Sequence, residues 1–230
     1  MAIRTPASTA VAKDCRWTSI TSRALATTLS GSLAPASAAS STAAGLPVMA
    51  HAQATDGIKN AVRAGIDSIE HGIFLDDEAI AMMLDAGTWL VPTLIAPAVV
   101  LEMAEAGAGL PDSVVAKARD VIGVHRDSFA RAVDAGVRIA MGTDSGVGPH
   151  GRNLEELALM AAGGMKPAAV LAAATSAAAQ LLGLADTTGT IAPGKRADLV
   201  IVDGDPYDFT GLKQRVRAVF QDGRRVRGTI

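Results

Sequence analysis

From residue 46 onward the chain alternates short apolar runs with longer amphipathic ones. Leu46 to Ala50 is a compact apolar run that ends at His51. Thr55 or Asp56 is placed to cap a helix with Ile58, Ala61 and Val62 on its inner face, and Gly65 is placed to stop it. Ile66 to Glu70 predicts a second strand, followed by His71-Gly72. Asp76 or Asp77 predicts a helix start with Ile80, Met83 and Leu84 on one face and Gly87 behind it. Trp89 to Leu94 predicts a third strand whose hydrogen bonding ends at Pro92. Strand, helix and strand with short links argue for βαβ units and a parallel sheet.

The rhythm then lengthens. Residues 95–111 predict a long loop with one short helical piece, the kind of insertion that walls or covers a site. A long helix is predicted from Asp112 to Ala135, with a stripe of Val115, Ala118, Ile122, His125, Phe129 and Val133. Gly136 ends it, and Val137 to Met141 predicts a strand that exposes Asp144 at its tip. A glycine-rich loop through His150 leads to a helix capped by Asn153, and Pro167 fits the first turn of another that stops at Gly183. Ala197 to Asp203 reads as a strand, and Arg215 to Phe220 with Arg224 to Val226 flank Asp222-Gly223 as a hairpin.

Composition adds boundaries. With 230 residues, 49% hydrophobic and 19% charged, the chain is globular, and its low aromatic content of 3% favours α/β layers over an aromatic-rich sandwich. A net charge of −2 offers no basic field for nucleic acid or an anionic membrane, and no apolar run reaches a membrane span. The lone Cys15 excludes an internal disulfide. Residues 1–45 differ from the rest: 27 are Ala, Ser or Thr, none is Glu, and neither structural period is present, so a disordered or foreign leader is expected. Ala34-Pro-Ala-Ser-Ala38 resembles a cleavage site, but charges at Lys13, Asp14, Arg16 and Arg23 interrupt any signal core, and a cytoplasmic chain is expected.

The chemistry gathers at strand ends. His51 and His71 lie about one βα unit apart, which puts them on the same rim of a parallel sheet. With Asp144 at a third strand end they form a candidate site for a divalent metal with positions open to water. Such an ion makes hydroxide available near neutral pH, and Asp144 could take the water proton and pass it to a leaving amine. This suits hydrolysis of a carbonyl–nitrogen bond. His150 reads either as a substrate contact or a partner of the ligands, or as an exposed loop residue. His125 reads as a packing histidine, and Glu70, by strand alternation, as facing away from the side of His71.

Four segments together resemble the amidohydrolase superfamily: Val48-Met-Ala-His51, Asp67-Ser-Ile-Glu-His71-Gly, Ile139-Ala-Met-Gly-Thr-Asp144-Ser-Gly, and the tail from Gly189 to Asp203. Leu75 to Ile80, Leu90 to Leu94 and His150 to Asn153 look most like the branch with Xaa-Pro dipeptidases, related amide hydrolases and imidazolonepropionase. The resemblance implies a (β/α)₈ barrel with one or two divalent ions, usually zinc, at its C-terminal mouth. It makes His51 the strand-five ligand, His71 the strand-six ligand, and Asp144 the strand-eight ligand and general base.

The family's first-strand His-x-His pair and its fourth-strand lysine are missing, since no histidine precedes His51 and Lys13 is the only earlier lysine. Eight βα units take about 250 residues, so the expectation is the C-terminal half of a barrel. Its parts would be a leader (1–45), strands five to eight with their helices (46–185), and a small C-terminal β element (186–230). The expected function is metal-dependent hydrolysis of amide, dipeptide or cyclic amide bonds, with one metal site retained and a small-molecule or dipeptide-like substrate. The alternatives are a non-catalytic portion that pairs with another half-barrel, and a deaminase of the same superfamily. Self-association into a homo-oligomer is left open.

Overall fold

The computed structural model describes Ala2–Ile3, Thr18–Ile20 and residues 47–229. The expectations for the leader, including its cleavage site and Cys15, otherwise lie outside the described residues.

One sheet is parallel, in the order β2 (Thr18–Ile20), β3 (Val48–Ala52), β4 (Ser68–His71), β5 (Trp89–Val91). The expected strand after Gly136 is reduced to a single parallel bridge between Ile139 and Leu90, carried by the Leu90 N–H to the Arg138 carbonyl and the Ala140 N–H to the Leu90 carbonyl. The other sheet is antiparallel, in the order β1 (Ala2–Ile3), β6 (Leu199–Val202), β7 (Val216–Gln221), β8 (Arg224–Gly228). Its hairpin turns at Asp222 and Gly223, both with positive φ, as the Asp-Gly pair predicts.

Between β3 and β4 runs α1 (Thr55–Arg63), and between β4 and β5 runs α2 (Asp77–Ala86). Asp76 caps α2 as expected, accepting the Ala79 N–H at 2.8 Å, and Gly87 closes it in the left-handed region. For α1 the capping expectation fails: Ala54 holds the cap position, and the Thr55 hydroxyl donates instead to the Phe74 carbonyl across the β4–α2 link. Lys59 of α1 joins Asp76 and Glu78, so the two helices are tied at the same corner.

Residues 95–111 hold more helix than expected. Here α3 (Ile95–Glu105) covers eleven residues. Then come α4 (Asp112–Ala135), α5 (Glu155–Ala162) and α6 (Pro167–Ala172), which passes through a π-helical turn at Ala173–Ala177 into α7 (Ala178–Leu181). A short α8 (Leu212–Arg215) precedes β7. No helix among the described residues is long and apolar enough to cross a membrane.

The parallel sheet has two working faces. Val48, Ala50, Ala52, Ile69 and Leu90 pack with Ile58, Met83, Phe129 and Met160 of the helices in the main core. Trp89, Val91, Ala140 and Ala178 form a second, smaller cluster. The half-buried partners on β3, Met49 and His51, alternate with the fully buried set, as the period of two requires.

Candidate functional site

His51 and His71 meet. The Nδ1 of His51 lies 2.7 Å from the Nε2 of His71, with the rings edge-on at 73° and centroids 4.4 Å apart. The strands bring them to one rim, but the register explains only half of the contact. His51 pairs with Glu70, and Ala52 pairs with His71. Paired residues on adjacent strands share a face, so Glu70 stands on the side of His51, whereas a regular strand would turn His71 toward the helices. The backbone at His71 leaves the extended region, with φ of +76°, and the ring swings back to His51. The reading of Glu70 as turned away from the site is therefore corrected: alternation fails at the last residue of β4.

Glu70 is held by the Ser68 hydroxyl, which donates to it at 2.7 Å. Burial pushes its carboxyl up to about 7, and the nearby negative charge of Asp144 works in the same direction. Burial, with the neighbouring His51, His125 and Lys117, pushes His71 down to about 3. His51 is also lowered, mainly by burial, although Asp144 opposes the shift. Both imidazoles are thus kept neutral at physiological pH, the form that can offer a lone pair to a metal.

Two further groups hold His71. Its Nδ1 lies 2.6 Å from the Thr93 hydroxyl, and its carbonyl accepts from His125 Nε2 at 3.0 Å. Thr93 is itself in the left-handed region, φ +53°, just past Pro92. His125 is 2% exposed, and because its Nε2 holds the His71 carbonyl it does more than pack on the stripe of α4. Ser128 donates to the Ile73 carbonyl at 2.8 Å, and Arg131 donates to the Leu75 carbonyl. One polar edge of α4, three residues per step, thereby holds alternate carbonyls of the segment that leaves β4. The buried line of α4 is Ala118, Val121, His125, Ser128, Phe129 and Ala132, so Val121 and Ala132 take the places expected of Ile122 and Val133. A histidine and a serine within a buried stripe were the signal in the sequence that this face does more than pack.

Asp144 is exposed in the loop after the Ile139 bridge, with φ of +49°. It lines a small open pocket with Ile95, Val99, Thr143 and Ser145. Its charge reaches His51 and Glu70, yet no three His, Cys, Asp or Glu side chains among the described residues stand close enough together to hold a metal ion. His150 is exposed farther along the same loop. The structure thus joins His51 to His71 and leaves Asp144 near them but outside their contact.

The residues present fit two corners of a divalent site. The two facing nitrogens share a hydrogen bond, so one carries the proton and a bound ion would take that proton's place, while the Thr93 hydroxyl holds the far nitrogen of His71, as partners of metal-bound histidines do.

An uncharacterised protein of Mycobacterium tuberculosis is 36% identical over 183 residues, which are 79% of this chain and 48% of that protein. Ochratoxinase of Aspergillus niger is 32% identical over 174 residues, 75% of this chain and 35% of the enzyme. A crystal structure of a Xaa-Pro dipeptidase with methionine bound in the active site superposes with a TM-score of 0.78 at 38% identity, covering 84% of this chain and 48% of that one. The chain spans about half the length, or less, of these relatives. The Amidohydrolase family profile matches residues 11–227, and the chain belongs to that family.

Proposed function

We propose that this chain carries strands five to eight of an amidohydrolase barrel and the ligand histidines of a hydrolase that cleaves carbon–nitrogen bonds in amides or dipeptide-like substrates. The observation that carries the reading is the 2.7 Å approach of His51 Nδ1 to His71 Nε2 at the rim of parallel strands. The likeness to a Xaa-Pro dipeptidase and to ochratoxinase supports the bond type. The division into a leader (1–45), from which β1 and β2 join the two sheets, a barrel portion (46–185) and a C-terminal β portion (186–230) is part of the proposal.

The family is generally dependent on divalent metals. His51 and His71 would hold the ion, with Asp144 as a third donor, and zinc is the metal proposed. When bound, the ion supplies an activated water and polarises the substrate carbonyl. Asp144 would accept the proton released when water adds to the carbonyl carbon and would return it to the nitrogen as the carbon–nitrogen bond breaks. Burial keeps His71 neutral, and Thr93 holds its Nδ1, which leaves Nε2 to face His51 and the ion.

A second reading is favoured by one observation: the described residues gather no third donor around the histidine pair. On that reading the chain is a non-catalytic portion that works by pairing with another half-barrel. The test is zinc content by mass spectrometry and hydrolysis of Xaa-Pro dipeptides and N-acyl amino acids, for wild type, D144N and the H51A/H71A double variant. The hydrolase reading expects zinc in wild type, zinc loss in the double variant, and hydrolysis lost in D144N. Zinc-free wild type with the same rate as D144N would establish the second reading instead.

A further inference from the structure

Glu156 is a carboxyl group with no access to solvent, on the first turn of α5. Its Oε1 accepts the Leu94 N–H at 2.8 Å and its Oε2 accepts the Ile95 N–H at 2.8 Å. Both amides belong to the start of α3, which has no cap from its own sequence: Leu94 holds the cap position and offers no side-chain acceptor. A residue some sixty positions away therefore satisfies two of the orphan amides that every helix start presents.

The next residue back is Thr93. A β-branched residue in the left-handed region is a conformational outlier that persists only when its surroundings enforce it. On one side Thr93 follows Pro92 at the end of β5; on the other its neighbours Leu94 and Ile95 are gripped by Glu156. In that conformation the Thr93 hydroxyl reaches His71 Nδ1 at 2.6 Å. Glu156 also begins the helix that follows the Asp144 loop, so one side chain links the two segments that bracket the candidate site. Arg152 makes a second, exposed tie nearby, pairing with Glu102 of α3 at 2.5 Å and with Glu155.

We propose that Glu156 is a positioning residue for His71: by gripping the Leu94 and Ile95 amides it fixes Thr93 in its left-handed turn, and so sets the Thr93 hydroxyl on the imidazole. The orientation of the His71 ring is then decided partly by the helix that follows the Asp144 loop. The proposal rests on the reading of His71 as a ligand only for its consequence on metal, and not for its geometry.

The test uses the whole chain, without and with zinc. Compared at pH 9, where Glu156 is a carboxylate, E156Q keeps the volume, loses one of the two acceptors and sets an amide N–H against a backbone N–H. The first readout is the ¹⁵N–¹H spectrum of the His71 imidazole in metal-free protein, where wild type is expected to show one fixed neutral tautomer and E156Q an averaged pair. The second is zinc affinity by chelator competition, expected to weaken about tenfold or more in E156Q. T93V should abolish the His71 signature by itself, and E156Q in the T93V background should add nothing, because the two act in series. R152A, which cuts only the outer tie, should leave the His71 signals in place.

If E156Q lowers the melting temperature but leaves the His71 signals as in wild type, Glu156 is a structural cap and the proposal is overturned. Should E156Q fail to fold, E156D draws the carboxyl back by one methylene and gives the same comparison at smaller amplitude. A wild type that takes up no zinc defeats the metal reading alone, since the imidazole spectra still decide whether Glu156 positions His71.

Discussion

Replacing Thr93 with valine isolates a single hydrogen bond. Valine keeps the β-branch and nearly the volume, so the cost of the left-handed backbone at φ +53° is the same in both proteins and cancels. What is lost is the hydroxyl 2.6 Å from His71 Nδ1, in a place where Thr93 is 3% and His71 8% exposed. A buried polar atom left without its partner costs about 1–3 kcal/mol. Removing the partner that orients a metal-bound histidine weakens metal affinity about 10–100-fold, which is about 1.4–2.8 kcal/mol. The two magnitudes agree, as they should if orientation of His71 is the main loss. Zinc affinity measured at pH 7.5 against a chromophoric chelator should therefore fall at least tenfold in T93V. T93S, which keeps the hydroxyl, should stay within a few-fold of wild type. Equal affinities for T93V and T93S would refute the reasoning, because the hydroxyl would then have no part in holding the ring.

Three further outcomes are expected. Burial raises Glu156 to about 8 from an ordinary 4.5, so between those values the folded chain holds more protons than the unfolded one and stability falls as pH rises. The slope is ~1.4 kcal/mol per pH unit, and E156Q lacks it, so urea titrations from pH 5 to pH 8 should shift in favour of E156Q relative to wild type. H125L leaves the His71 carbonyl without its donor at 3.0 Å and should cost ~1–3 kcal/mol in urea unfolding, more than a change of shape alone would give. In G142A the new Cβ would stand 2.4 Å from Val91 Cγ1, so ~1–3 kcal/mol of overpacking is expected and V91A in the same chain should recover part of it.

The sequence made the strand-end histidines legible because their signal is local: an apolar run, a polar tip, and a repeat of one βα unit. The Asp76 cap and the Asp222-Gly223 hairpin are legible for the same reason, since each is a short-range bond between neighbouring residues. What was not legible depends on partners far along the chain. The helix from Ile95 to Glu105 reads as a loop with one short helical piece because its cap comes from Glu156 and not from any residue beside it. The Ile139 strand shrank to one bridge because only Leu90 pairs with it. Glu70 was placed on the wrong face because alternation presumes extended backbone, and His71 departs from it. His125 is visible as a polar residue in an apolar stripe, but the acceptors that explain it and Ser128, the carbonyls of His71 and Ile73, belong to another element.

These long-range bonds divide the candidate site into two parts of different character. The His51–His71 pair is held from all sides by groups within the described residues: Thr93 on the ring, His125 on the carbonyl, and Glu156 behind Thr93. Such a pair is pre-oriented before any ligand arrives, which lowers the ordering cost of binding. Asp144 has no comparable support: it is exposed, its φ is positive, and Gly142 and Gly146 flank its loop. The orientation of the histidines is therefore a property of this chain's own packing, whereas closing the site around a third donor requires the Asp144 loop to move or a further group to join. Zinc binding that depends on Thr93 but not on Asp144 would mark the first part as working alone, and binding that needs both would mark the loop as closing on the ion.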